Sequence, residues 1–165
     1  MRLRPLAVSG SARLVPVAGA TACVIAALAL ALWATLPNLH WFAGLRRPSF
    51  RPPALVFGLA WATCHGLALW ALTRVLRSPD WMPDRSAAIQ AFFTQLGLNA
   101  IWPIAVFGLH RPRLGLVVLS VLLLAIFLTT RLFARVDRVA GRILLPYLGW
   151  IAFVYLLNLS VAIRN

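Results

Sequence analysis

The chain of 165 residues has no lysine; its sixteen basic residues are all arginine. Acids are scarce too: Asp80, Asp84 and Asp137 are the only three, which leaves a formal net charge of +13. None of the three lies in an apolar segment, so acid–base chemistry by paired carboxylates has nothing to work with inside those segments. Cysteine is rare, with Cys23 and Cys64 in separate apolar runs. There is no CxxC and no histidine at metal-ligand spacing, so no metal site is expected and both cysteines read as small buried hydrophobes. A Ser/His/Asp set and a glycine-rich phosphate loop are likewise missing from the apolar runs. No segment alternates apolar and polar residues with period two over several strands. That excludes a β-barrel and leaves helices to satisfy the backbone internally.

Apolar residues are what the chain has in excess. They make up 62% of it, against roughly 45–50% in a soluble domain, and the mean hydropathy is +0.87. Five runs, 14–36, 54–75, 87–109, 114–133 and 143–163, reach the roughly 20 helical residues that cross a bilayer core. The expected fold is an all-α integral membrane protein, a five-transmembrane-helix bundle, with one membrane domain over 14–165 behind a basic extension over 1–13. Arg2, Arg4 and Arg13 ahead of an apolar run resemble a secretory signal. The run exceeds the roughly 7–15 residues of a signal core, so it reads as a retained first span.

A sequence isoelectric point near 12.0 fits nucleic acid, but the arginines lie between the spans and not on one soluble face. They suit anionic lipid headgroups and topology signalling, and nucleic acid is not an expected partner. Arg2, Arg4, Arg13, Arg74, Arg77, Arg85, Arg131, Arg135, Arg138 and Arg142 fall on one side, and Arg46, Arg47, Arg51, Arg111, Arg113 and Arg164 on the other. By the positive-inside rule this favours a cytoplasmic N-terminus and an opposite C-terminus.

The connections are "PNLHWFAGLRRPSFRPP", "RSPDWMPDRSA", "HRPR" and "VDRVAG". In the first, a short interfacial helix is expected around His40 to Leu45. Pro48, Pro52 and Pro53 stiffen the remainder of that connection, and a stiff loop can act as a lid. The fourth span is apolar nearly all round and reads as lipid-facing scaffold. In the first span Ala18, Ala22 and Ala26, with Gly19 beside them, permit close helix contact within the bundle or between protomers.

Polar and aromatic side chains share helical stripes. Phe57, Trp61 and His65 fall on one face of the second span; Gln95, Asn99, Trp102 and Val106 on one face of the third; Tyr147, Trp150, Val154 and Asn158 on one face of the fifth. Pro103 is expected to kink the third span and release the carbonyl of Asn99. Trp61, Trp102 and Trp150 lie about two turns inside their spans, deeper than the interfacial aromatic belt. Indoles facing one cavity form a platform for a flat aromatic ligand. His65 does not make a bis-histidine haem site, because His40 and His110 both lie in loops.

Three segments, "WFAGLRRPSFRPP" followed by "FGLAW", "LGLNAIWPIAVFG" and "PYLGWIAFVYLLN", resemble the translocator protein / tryptophan-rich sensory protein family, TspO/MBR, from about Pro37 to Asn165. The resemblance implies a five-helix fold, often a homodimer, whose cavity binds porphyrins and benzodiazepine- or isoquinoline-carboxamide-type ligands under the first loop. It places Trp41, Phe42, Pro52, Phe57, Trp61, Asn99, Trp102, Trp150 and Val154 around that pocket. It also gives Trp61 and Trp150 a candidate catalytic role in light-dependent porphyrin breakdown. Departures from the pattern are Phe42 for a usual Tyr, Arg47 for Lys, His65 for an aromatic or apolar residue, and Val154 for Ala or Thr. Tyr155 has no basic residue until Arg164, so sterol binding is not supported.

The function expected from these features is binding of a porphyrin or haem-type tetrapyrrole for sensing, regulation or transport, with no obligatory cofactor and no metal site. Propionates would meet Arg46, Arg47 or Arg51, and membrane lipid is the other expected partner. Two alternatives stand beside it: a light-dependent porphyrin-degrading enzyme, and a membrane assembly protein without a small ligand. The expected location is a bacterial cell membrane.

Overall fold

The computed structural model describes residues 10–165, with side chains from Val15 onward. Most of the basic extension expected over residues 1–13, including Arg2 and Arg4, lies outside the described residues. Helix α1, Gly10–Thr35, leads through a 3-10 turn, Leu36–Asn38, into the short α2, Leu39–Ala43. After the Pro-rich loop come α3, Ala54–Arg77, and α4, Arg85–Pro103, which runs into a π turn, Ile104–Gly108. The chain ends with α5, Pro112–Val136, α6, Arg138–Ile143, and α7, Leu145–Arg164. Five segments among these are long and apolar enough to cross a membrane, and no strand occurs among the described residues.

Proline and aspartate punctuate the helices. Pro53 is extended immediately before α3, Pro112 occupies the first turn of α5, and Pro146 that of α7, where a missing N–H leaves no intrahelical bond unmade. Asp137 caps α6: its Oδ1 accepts from the N–H groups of Val139 at 2.7 Å and Ala140 at 3.3 Å.

This cap corrects the sequence reading, which took "VDRVAG" as a plain connection. The segment is helical and packs against α5 and α3. Gly141 makes that approach possible, since a Cβ there would lie 2.8 Å from the Cα of Ala134 and 2.9 Å from its backbone nitrogen. A second correction concerns the fourth span. α5 faces outward on one side only: its other side packs against α4, α6 and α7, burying Gly115, Leu119, Leu122, Ile126, Thr129, Thr130, Phe133 and Val136. The outward side, with Val117, Val121, Leu124 and Leu128, is exposed. Cys64 is buried as expected, whereas Cys23 is exposed on α1.

The two ends of the bundle differ in chemistry. At one end lie three ion pairs: Arg74 to Asp137 at 2.8 Å, Arg85 to Asp80 at 2.9 Å and Arg135 to Asp84 at 3.5 Å. At the opposite end side-chain hydrogen bonds hold the first loop. His110 hydrogen-bonds Asn38 at 2.9 Å, and Asn165 bonds the backbone of Arg46.

Candidate ligand-binding site

Between α3, α4 and α7 the three predicted stripes meet. Trp61 of α3 stacks on Trp102 of α4 with centroids 5.7 Å apart. Phe57, one turn earlier on α3, meets Trp61 at 6.2 Å and Trp150 of α7 at 5.4 Å. One turn deeper, the His65 ring lies 5.6 Å from Trp61 and 6.0 Å from Tyr147. Val154 and Val106 are buried beside this cluster. The helical phase of apolar and aromatic residues therefore anticipated which side chains meet between these helices.

Its floor is polar and fully buried. Gln95, Asn99 and Tyr147 form one network: Tyr147 Oη donates to Gln95 Oε1 at 3.0 Å, and Asn99 Nδ2 faces Tyr147 Oη, Gln95 Oε1 and the Gln95 carbonyl. An amide NH2 has two hydrogens, so three acceptors compete for them. Meanwhile Asn99 Oδ1 is buried without a partner, and so is the donor Trp150 Nε1. Each such atom is unfavourable in a membrane interior by the desolvation it suffers, of order 1–3 kcal/mol. Trp102 is satisfied differently: its Nε1 donates to Asn158 Oδ1 at 3.2 Å, and Asn158 Nδ2 donates to the carbonyl of Pro112 at 2.8 Å.

The mouth lies under the first loop. Trp41 does not join the Trp61 cluster; it stacks on His110 at 4.2 Å, while Phe42 packs on Phe107 at 5.0 Å. Phe107 in turn meets Trp102 at 6.0 Å, so Phe42 communicates with the cluster through one ring. The Arg47 guanidinium sits 6.0 Å from the centre of the Phe42 ring, a cation–π distance that keeps a positive charge at the rim. Pro52 is half-buried in the same loop, with no ring or hydrogen-bond contact to the cluster. A cavity of about 220 Å³ opens here, lined by Trp41, Leu45, His110, Pro112, Arg113, Ala162 and Asn165. Another, of about 260 Å³, lies at the far end among Arg74, Arg77, Ser78 and Asp137. Neither reaches the Trp61–Trp102 stack, whose rings touch each other.

Sequence reasoning missed Phe107, Phe153, Phe50 and His110. Phe153 packs on Trp150 at 5.5 Å and on Phe50 of the loop at 6.4 Å. Its place three residues after Trp150 was a usable signal. Phe107 was harder to find. The helix runs through Pro103 and the irregularity falls just after it, as the π turn, where Leu109 N–H bonds the Ile104 carbonyl at 2.8 Å. In a π turn residues five apart come into line, so a wheel of 3.6 residues puts Phe107 on the wrong face relative to Trp102. Among the described residues no three His, Cys, Asp or Glu side chains come together to hold a metal ion.

Comparison with known proteins identifies the family. Residues 19–164 match the TspO/MBR family. The chain is 40% identical over 125 residues to the tryptophan-rich protein TspO of Archaeoglobus fulgidus, covering 76% of this chain and 80% of that protein. It is 36% identical over 123 residues to protein CrtK of Rhodobacter capsulatus, covering 73% and 76%. To the human translocator protein it is 34% identical over 125 residues, covering 75% and 74%.

Proposed function

Because this chain belongs to the TspO/MBR family and is a multi-pass membrane protein, we propose that it binds a porphyrin-type tetrapyrrole under its first loop and senses or moves that ligand. Two orphaned polar atoms of the aromatic site carry this reading: the acceptor Asn99 Oδ1 and the donor Trp150 Nε1, both buried without a partner among the described residues. A ligand that brings one donor and one acceptor into an aromatic enclosure satisfies both. A propionic acid substituent supplies that pair, its O–H donating and its carbonyl oxygen accepting. The flat macrocycle gains apolar burial and offset stacking against Phe57, Trp61, Trp102 and Trp150, and Arg47 at the rim offers a charge-assisted bond to a propionate.

The rings are in mutual contact, so ligand entry requires the loop and the aromatic wall to part. Under the same reading the protein is a homodimer through the exposed Ala18, Gly19, Ala22 and Ala26 row of α1. It lies in a cell membrane with its arginine-rich end in the cytoplasm. The deciding experiment titrates free-base protoporphyrin into purified protein while following Trp emission. Saturable quenching is expected in the wild type and its loss in a Trp61→Phe/Trp150→Phe double variant; quenching that survives both substitutions rules the site out.

A further inference from the structure

Resting on that tetrapyrrole reading, we propose that this chain recognises the central metal as well as the ring, and that His65 Nε2 is the axial ligand of a ferric porphyrin. The tautomer follows from one hydrogen bond. His65 Nδ1 lies 2.9 Å from the carbonyl oxygen of Trp61, one turn earlier on its own helix. A carbonyl oxygen only accepts, so Nδ1 carries the proton and the lone pair of the neutral imidazole resides on Nε2. This is how metal-ligating histidines are held, with one nitrogen donating to a carbonyl while the other binds the metal.

The surroundings leave that lone pair free. His65 is 4% exposed, and its only hydrogen bond among the described residues is the one made by Nδ1. The hydroxyl of Tyr147, whose ring faces His65, gives its proton to Gln95 Oε1. The amide of Asn99 is taken up by Gln95 and Tyr147, and the indole N–H of Trp102 by Asn158. Among the described residues no group donates to Nε2. Charged groups do not intervene either: the three aspartates pair with Arg74, Arg85 and Arg135 at the arginine-rich end, so no carboxylate holds the imidazole in its cationic form. A buried neutral imidazole with a free lone pair, flanked by Trp61 and Tyr147 rings, is a one-point metal ligand inside an aromatic enclosure. A single protein ligand fits a metal that arrives already held by four pyrrole nitrogens, whereas a bare ion finds no set of three ligating side chains among the described residues.

The test titrates the full-length protein with haemin and, in parallel, with free-base protoporphyrin, and reads the ratio of the two affinities together with the haemin absorption and electron paramagnetic resonance spectra. The expected wild-type result is a histidyl-haem spectrum. In His65→Phe, which keeps an aromatic ring in the same space, the haemin to free-base affinity ratio is expected to fall at least about tenfold, the lower end of losses seen when metal-site support is removed. Added imidazole is expected to restore the histidyl spectrum in that variant, which a merely structural role for His65 does not predict. A spectrum and ratio unchanged in His65→Phe overturn the assignment while leaving tetrapyrrole binding intact. A thiolate-type spectrum lost in Cys64→Ser also overturns it. If the wild type binds neither porphyrin, the underlying reading fails and takes this one with it.

Discussion

Trp61 and Trp102 stack with their planes only 22° from parallel and their ring centroids 5.7 Å apart. A flat ligand slotted between two rings needs about 7 Å, twice the carbon contact distance of about 3.5 Å. The pair is therefore a closed wall that a macrocycle must lie against or split, and its two members are held unequally. The indole of Trp102 is bonded to Asn158, whereas that of Trp61 makes no hydrogen bond among the described residues.

Replacing each by Phe separates the two roles. Trp102→Phe leaves Asn158 Oδ1 buried without its donor, and is expected to destabilise the bundle by about 1–3 kcal/mol beyond the loss of ring area. Trp61→Phe loses ring area alone. Thermal unfolding in detergent micelles is expected to rank Trp102→Phe well below Trp61→Phe, and equal Tm values would show that the Asn158 bond contributes nothing.

Gly115 tests the same corner from the other side. A Cβ at this position would overlap Val106 Cγ2 and come within 3.1 Å of Asn158 Oδ1 and 3.5 Å of Trp102 Nε1. Val106 is β-branched and buried, so it has little rotamer freedom with which to yield. Gly115→Ala is expected to lower stability by about 1–3 kcal/mol, the usual range for overpacking. It should also red-shift Trp emission as Trp102 is displaced from its bond; an unchanged emission maximum and Tm would show that the crossing has slack.

Much of this site was legible from helical phase, and the reasons differ by residue. Phe57, Trp61, His65, Asn99, Trp102 and Trp150 each contrast in size or polarity with their neighbours, so a regular helix places them together without any tertiary information. The packed side of α5 is hidden in the sequence because, in a bilayer, apolarity marks the lipid face and the core alike. Its buried face is set by Gly115, Thr129 and Thr130, whose small or hydroxylated side chains fit against other helices. α6 was missed because Arg138, Gly141 and Arg142 look like a loop when the contact of Gly141 with Ala134 is not known. The mouth depends on pairs far apart in sequence, Trp41 with His110 and Arg46 with Asn165, and no local pattern encodes them.

At the arginine-rich end, Asp137 makes acid sensitivity measurable. Burial alone pushes its carboxyl upward, but the N–H groups of Val139 and Ala140 and the guanidinium of Arg74 outweigh that and hold it below the usual carboxylate range. A depressed folded-state value means the stabilisation is present above the ordinary aspartate value of about 4. It is lost as pH falls through the folded value. The wild-type Tm is thus expected to drop as pH is lowered from about 5 toward 3, and Asp137→Asn, which keeps a capping oxygen, to flatten that slope. Asp137→Ala removes the cap as well and should cost about a further 1 kcal/mol at all pH values. An Asp137→Asn variant with the wild-type pH slope would place the acid sensitivity elsewhere.

The loop over the mouth is clasped at two points by one side chain. Asn165 Oδ1 accepts from the Arg46 N–H at 3.1 Å, and its Nδ2 donates to the Arg46 carbonyl at 3.2 Å while also bonding the Val161 carbonyl at 2.9 Å. The clasp thereby joins the loop before Pro48 to the last turn of α7. It is exposed, so each bond contributes only about 0.5–1.5 kcal/mol. That is enough to hold a lid shut most of the time and little enough for the lid to open without unfolding the bundle. Asn165→Ala is expected to speed hydrogen exchange at the Arg46 amide about tenfold or more, by raising the open population of this segment alone. Amides inside α3 and α7 should exchange as before. If this opening limits access to the Trp61–Trp102 wall, free-base protoporphyrin should associate faster with the variant by a similar factor. Faster exchange with an unchanged association rate would mean that the ligand enters by another route, while unchanged exchange would show that the contacts of Trp41 and Asn38 with His110 and of Phe50 with Phe153 hold the loop without the clasp.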